Sequence, residues 1–387
     1  MSAQNGSTKG SARKASARTG IAPEVAGTAA SGIRAIANAA WARPDAVHLE
    51  FGEPDFDTPA HVVEAAARAA RDGHTRYGPS AGLPALREAV TVKLARDNAF
   101  PDTRPEQVVV TAGGVGALFA AYRTLLSAGD EILVPDPGWP NFSTIATILG
   151  AVPRGYRLGP DYAPDYDDLA EKTGPNTKAI LINSPSNPVG YQWSTGQLEK
   201  IGDWARRHHL TVISDECYDQ LWLDQPAPTF AAAAPETPHV TVFSLSKSYA
   251  MTGWRVGYAV TSPELAAGLA RVQEVTASCV NTIAQHAAIA ALTGDQHCVA
   301  VMRTAYRERR DVALAAAQRL GLAVTRPAGA FYLWLSTETD AQRLLNETGT
   351  AVAPGEAFGP AGAGHLRLSL AAATEHIVRG LNDIANL

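Results

Sequence analysis

The stretch Ser244–Tyr258, SLSKSYAMTGWRVGY, places two cations in a segment that otherwise reads as a buried strand end and a tight turn. Lys247 follows the apolar run VTVF and stands three residues after Ser244; Arg255 comes eight residues later. An isolated lysine is ordinarily a solvated surface group. Here the flanks are small and apolar, and hydroxyls and cations recur together at Ser244, Ser246, Lys247 and Arg255. A lysine buried in such surroundings loses proton affinity from about 10.4, which turns its amine into a nucleophile. An arginine nearby offers a forked, permanently charged clamp for a phosphate. The rest of the chain decides between a stray surface lysine and a working one.

Working outward, QVVVT (107–111), EILVP (131–135), KAILIN (178–183), TVISDE (211–216), HVTVFSL (239–245) and RVGYAV (255–260) read as short strands. ALFAAYRTLLSAG (117–129), NFSTIATILG (141–150) and TGQLEKIGDWARRHHL (195–210) read as helices. Near-continuous apolar strands alternating with helices predict an α/β fold, a mostly parallel sheet sandwiched by helices. The C-terminal part changes to a long helix (299–321) and short strand pieces, GAFYLWL (329–335) and HLRLSL (365–370), which predicts a smaller α+β domain. Residues 21–54 show no helix–strand unit of their own and are expected to pack with it. The expected division is a disordered tail at 1–20, that N-terminal segment at 21–54, a large ligand-binding domain at 55–290 and a small domain at 291–387. In open α/β sheets ligands gather beyond the carboxyl ends of the strands, and the unusual residues sit at such ends or in the loops that follow.

Four further motifs lie there. TVISDECYDQLW (211–222) ends an apolar strand in Asp215, with Tyr218 three residues on. A buried carboxylate costs several kcal/mol unless a cation or donor partners it, so Asp215 reads either as a helix cap or as the partner of a protonated ring nitrogen. NSPSNPVG (183–190) reads as a turn enforced by its prolines, or as a loop whose Asn187 amide donates to a ligand oxygen. TAGGVGA (111–117) leads a strand through Gly113 and Gly114 into a helix, where free N–H groups make an anion site; it is neither a dinucleotide fingerprint nor a P-loop. PDPGWPNF (135–142) holds Trp139 between Gly138 and Pro140, rigid enough to stack on a planar ligand. Together the five describe a planar protonated ring with an oxygen substituent, an anionic group and a carbonyl open to lysine. Pyridoxal 5′-phosphate has these parts.

With 387 residues, 46% of them hydrophobic, the chain has material for two cores. A net charge of −5 argues against a nucleic-acid backbone binder. Cys217, Cys279 and Cys298 form no CxxC pair, so no zinc ribbon or disulfide framework is expected and a reducing, cytoplasmic setting fits. No metal site is expected. No run approaches the roughly 18 consecutive apolar residues of a membrane span. The first twenty residues carry four basic groups and no acidic one, and no apolar signal core.

The motifs FGEPDFDTP (51–59), RYGPSAGLPALREAV (76–90), TAGGVGAL, PDPGWPNF, NSPSNPVG, SDECYD, SLSKSYAMTGWRVGY, PAGAFYLW and HLRLSL occur in an order that resembles the class I/II aminotransferases of the aspartate aminotransferase family, from about residue 21 to the C-terminus. The resemblance implies the pyridoxal-phosphate-dependent transferase fold type I. It implies Lys247 as the Schiff-base lysine and acid–base, Asp215 on the pyridine nitrogen, and Tyr218 and Asn187 on the ring oxygen. Trp139 would stack on the ring. Gly113, Gly114, Val115, Ser244 and Arg255 would hold the phosphate, with Tyr77 reaching the phosphate of a neighbouring subunit in a homodimer. Arg367 would clamp the substrate α-carboxylate, with Gly52, Asn187 and Trp139 beside it. The implied reaction is ping-pong transfer of an amino group between an L-amino acid and a 2-oxo acid. The same residues would also serve β- or γ-elimination, replacement or carbon-bond formation. The chain departs from the family pattern at Val189, where a threonine is frequent, and at Val115, where some relatives carry a longer polar residue. Arg34 lies near the segment that meets substrate; no second arginine or lysine matches the clamp that aspartate-specific relatives use for a second carboxylate.

Overall fold

Seven strands form the central sheet of the computed structural model, which describes residues 20–28 and 30–387. They are β1 (Val108–Thr111), β2 (Glu131–Asp136), β3 (Val152–Arg157), β4 (Thr177–Asn183), β5 (Thr211–Asp215), β6 (His239–Ser244) and β7 (Gly257–Thr261). Their spatial order is β1-β7-β6-β5-β4-β2-β3. β3, β2, β4, β5 and β6 run parallel, and β7 lies antiparallel to both β1 and β6. β4, β5 and β6 are almost wholly buried, as expected of strands covered on both faces. The helix Gly113–Leu125 covers one face and the helix Thr195–Arg207 the other. The second starts in a reciprocal cap: the Ser194 hydroxyl accepts the Gln197 N–H while the Gln197 side chain accepts the Ser194 N–H.

Three features differ from the pattern in the sequence. β3, with the sequence VPRGYR, lacks an apolar run because it is an edge strand with mostly exposed positions. The helix after β1 starts at Gly113, four residues before its apolar stripe does, so its first turn consists of glycines and Val115. In the N-terminal segment, Gly32–Trp41 is a helix capped by the Ser31 hydroxyl, and Val47–His48 pairs in parallel with Thr350–Ala351. Its apolar residues Ile33, Ile36, Ala37 and Ala40 recur at helical spacing, and the last three are buried. The expected tail, apart from Gly20, lies outside the described residues.

The C-terminal part builds an antiparallel four-stranded sheet in the order Ala353–Pro354, His365–Ser369, Tyr332–Ser336, Ala323–Thr325. Met302, Tyr306 and Ala313 of the helix His297–Arg319, and Ile377 and Leu381 of the helix Thr374–Ala385, share its core. No helix among the described residues is long and apolar enough to cross a membrane.

A buried polar knot ties the helix Pro84–Asp97 to the loop that follows β5. The Lys93 ammonium contacts the Asp219 carboxylate, donates to Asn98 Oδ1 at 2.6 Å and lies 4.9 Å from the centre of the Phe243 ring. Asn98 Nδ2 also donates to Asp219, at 3.2 Å. All three residues are buried. Removing one partner of such a pair leaves a charge uncompensated, at a cost of about 3–5 kcal/mol, whereas replacing both by apolar groups is often neutral. The Lys93→Met protein should therefore lose about 3–5 kcal/mol in denaturant unfolding, and Lys93→Met/Asp219→Leu should recover most of it. A single-variant loss below about 1 kcal/mol would contradict this account.

Candidate active site

The carboxyl ends of β2, β4, β5 and β6 and the start of the helix after β1 surround a cavity of about 370 Å³. Gly52, Gly114, Val115, Trp139, Asn187, Asp215, Tyr218, Ser244, Lys247, Arg255 and Arg367, all read from the sequence, line it. Arg255 arrives by a different route from the others. It precedes its strand, and only the antiparallel direction of β7 carries it to the edge where the parallel strands end. Its φ of +57° takes it out of the strand that was expected to begin there.

Lys247 sits in the single helical turn Leu245–Ser248 at the end of β6. Its Nζ donates to the Gly52 carbonyl at 2.5 Å, tying the N-terminal segment to the sheet. Burial lowers its pKa to about 8, with the positive charges of Arg367 and Arg255 acting in the same direction and Cys217 and Glu53 opposing. Asp215 is buried and, among the described residues, makes no ion pair; Oδ1 accepts the Cys217 N–H at 3.1 Å. Burial pushes its carboxyl pKa up.

Asn187 and Arg367 meet across the cavity. Arg367 is 2% exposed, on the strand His365–Ser369 of the small sheet. Its Nη1 donates to Asn187 Oδ1 at 2.9 Å and its Nη2 to the Glu50 carbonyl at 2.5 Å, while Nε has no partner among the described residues. Its guanidinium lies 4.3 Å from the centre of the Tyr332 ring. Burial lowers its pKa. With Oδ1 engaged, the Asn187 amide nitrogen is left to donate elsewhere.

Tyr332 and Asn183 were not singled out in the sequence. The Tyr332 hydroxyl lies 2.7 Å from that of Tyr218, and burial pushes both phenols upward in pKa. A Cβ at Gly52 would come within 2.1 Å of the Tyr332 hydroxyl, so only glycine fits at Gly52. A tyrosine in a fully buried strand signals that its hydroxyl needs a partner, and GAFYLWL carried that signal. Asn183 is paired with Asp215 in register; its Nδ2 donates to the Asp215 carbonyl at 2.9 Å and its Oδ1 accepts the Asn187 N–H at 2.8 Å. One amide thus aligns both residues.

At the anionic end, the helix Gly113–Leu125 has no side-chain cap, leaving its first N–H groups open. Gly113 has a φ of +73°, and a Cβ there would come 2.5 Å from Arg255 Nη2. Arg255 donates to the Thr252 carbonyl at 2.7 Å and makes no ion pair with a described carboxylate. Trp139 is half-buried, edge-on to Phe142 at 5.6 Å. Tyr77 is not brought here: it is 90% exposed and lines a separate surface depression with Cys279 and Thr282.

These groups fit pyridoxal phosphate on their own chemistry. An uncapped helix start, a hydroxyl and an unpaired arginine suit a phosphate. A buried carboxylate without a cation suits a ring N–H⁺, and a buried amine suits an aldehyde. Arg367, buried and without a carboxylate, suits an α-carboxylate.

Known proteins agree in kind. The family described as "Aminotransferase class I and II" matches residues 44–381. A "Probable aspartate/prephenate aminotransferase" of Thermus aquaticus is 39% identical, over 88% of this chain and 91% of its own. A "Probable N-acetyl-LL-diaminopimelate aminotransferase" of Bacillus subtilis is 33% identical, over 92% of each chain. The solved structure of the aspartate aminotransferase from Thermus thermophilus with maleate superposes with a TM-score of 0.89 at 37% identity, covering 95% of this chain and 99% of that one. The named substrates of these relatives differ while the reaction type is shared.

The lowered pKa of Lys247 is directly measurable in cofactor-free protein. Between about 8 and the unfolded value near 10.4, the unfolded chain holds a proton that the folded amine has lost. This group therefore makes the folded state more stable as pH rises through that window. Modification of Lys247 by trinitrobenzenesulfonate, followed by peptide mass, should reach half its maximal rate near pH 8. A midpoint above pH 10 would show that burial does not act on this amine.

Proposed function

The chain belongs to the class I and II aminotransferase family and is an aminotransferase, and on that premise we propose that Lys247 is the residue through which it moves an amino group between an L-amino acid and a 2-oxo acid. The observation that carries this assignment is a half-buried lysine with lowered proton affinity, in one cavity with a buried carboxylate and a buried arginine that make no ion pair among the described residues. Pyridoxal phosphate, when bound, supplies an aldehyde for the amino group and a protonated ring that draws electrons from the substrate Cα. Ser244, Arg255 and the N–H groups at Gly113, Gly114 and Val115 hold its phosphate. Asp215 keeps its ring nitrogen protonated, Asn187 and Tyr218 donate to its ring oxygen, and Trp139 covers its face.

Arg367 takes the substrate α-carboxylate, using the unpartnered Nε together with its engaged nitrogens. That pairing fixes the Cα within reach of Lys247. The Lys247 amine, a substantial fraction of it neutral at physiological pH, takes the proton at Cα as general base and later returns a proton as general acid. Tyr332 holds the Tyr218 hydroxyl in place, and Gly52 holds the Lys247 amine through its carbonyl.

The active form is a homodimer in the cytoplasm. A tyrosine that is 90% exposed, next to an open depression, supports a partner surface around Tyr77, and three free cysteines fit a reducing compartment.

Borohydride reduction of the holoenzyme should fix the cofactor on the peptide containing Lys247, and Lys247→Ala should lose both the visible absorbance of bound cofactor and turnover. Fixation on another lysine would overturn the assignment. Tyr77→Phe should weaken cofactor affinity by about 10-fold or more, the value of a hydrogen bond to a charged group, without altering the dimer in sedimentation. Unchanged affinity would remove Tyr77 from the phosphate.

A further inference from the structure

Part of the cavity lining faces neither cofactor groups nor the α-carboxylate clamp. Ile33, Arg34, Phe51 and Asn141 are among the lining residues left over once those roles are assigned, and the side chain of Val115, whose N–H alone serves the phosphate, joins them in the cavity that Trp139 also lines. Among the described residues Asp215 is the only carboxylate in the lining, and this wall holds no carboxylate to match a cationic side chain. Three of these five side chains are apolar, and Arg34 is the one cation among them.

The placement of Arg34 decides how much that cation can do. Its guanidinium lies 5.5 Å from the centre of the Phe51 ring and 5.9 Å from that of Trp41. Those two rings are themselves stacked at 5.4 Å. Arg34 is exposed, and Trp41 is 58% exposed. The guanidinium therefore rests in water on a ledge of two aromatic rings. An ion pair formed there is hydrated and screened, and such pairs change affinity by at most about fivefold. Each methylene gained in an apolar pocket changes selectivity by on the order of 10-fold or more. The apolar wall outweighs the exposed cation. A ledge of Trp41, Phe51 and guanidinium also suits one more ring, since aromatic faces and guanidinium planes stack favourably.

We propose that this wall selects an amino donor with a large apolar side chain, aromatic before aliphatic, over an acidic one, and that Ile33, Phe51 and Val115 are its specificity-determining residues. The proposal rests on the aminotransferase reading and extends it to the substrate side chain.

Holoenzyme loaded with pyridoxal phosphate is mixed separately with phenylalanine, leucine, aspartate and glutamate, and conversion of the bound cofactor is followed by its visible spectrum in a single turnover. Phenylalanine should react at least 10-fold more efficiently than aspartate or glutamate, and ahead of leucine. As a readout independent of turnover, the unreactive acid 3-phenylpropionate should bind the holoenzyme at least 10-fold more tightly than succinate. In Val115→Lys, which adds a cation to the wall, the phenylalanine-to-aspartate ratio should fall by at least 10-fold. Aspartate or glutamate leading the series, or succinate binding at least as tightly as 3-phenylpropionate, overturns the proposal and leaves the aminotransferase reading intact. Leucine leading overturns the aromatic preference. An unchanged ratio in Val115→Lys overturns the role of Val115. No spectral change with any of the four amino acids overturns the aminotransferase reading itself.

Discussion

Two opposite charges are buried in one cavity without neutralising each other, and the rest of the structure depends on keeping them so. Asp215 gives its Oδ1 to a backbone N–H, and Arg367 gives its two terminal nitrogens to an amide oxygen and a backbone carbonyl. An unpaired buried ion costs several kcal/mol, so a chain shaped for stability alone would pair or delete both. Here the scaffold holds them at separate walls. Asp215 is fixed by the register of β4 against β5 and by the Asn183 amide. Arg367 is fixed on a strand of the second sheet and reaches back through Asn187. Such unspent electrostatic capacity is where proteins place function at the expense of stability.

The sheet that performs this separation was legible because its strands are buried on both faces and read as continuous apolar runs. The polar residues that interrupt those runs at their ends, Asp215, Asn187 and Lys247, were legible for the same reason. Features set by distant partners were not. Arg367 in HLRLSL looks like a surface arginine until a second sheet and the Asn187 loop enclose it. Tyr332 and Asn183 act through hydroxyl and amide contacts to residues far away in the chain or on a neighbouring strand, and no local period encodes these. Arg255 lines the cavity, but the strand direction that brings it there could not be read from an apolar run, which looks the same in either sense. The helix Gly32–Trp41 was not read from SGIRAIANAA, although Ile33, Ile36, Ala37 and Ala40 recur there at helical spacing.

The same contacts couple the ends of the site. One amide, Asn187, receives Arg367 on its oxygen and offers its nitrogen to the opposite side. One carbonyl, Gly52, receives Lys247, and a Cβ on that glycine would collide with Tyr332, whose hydroxyl holds Tyr218. Charge adds a second link. Burial is the main reason that Lys247 holds its proton weakly, and the positive charges of Arg367 and Arg255 weaken it further. In the proposed reaction each of those arginines acquires an anion, a carboxylate on one and a phosphate on the other. Each anion cancels a like charge facing the amine, and this pushes its proton affinity up. Ligands that fill the cavity displace water from around the amine, and this pushes the affinity down. The two effects oppose each other at the same Nζ, so the base can remain close to neutral pH in both the empty and the filled site. A lysine paired directly with a carboxylate would lack this balance, because it would be held protonated; the separation of Asp215 from Arg367 and Lys247 is what makes the balance available.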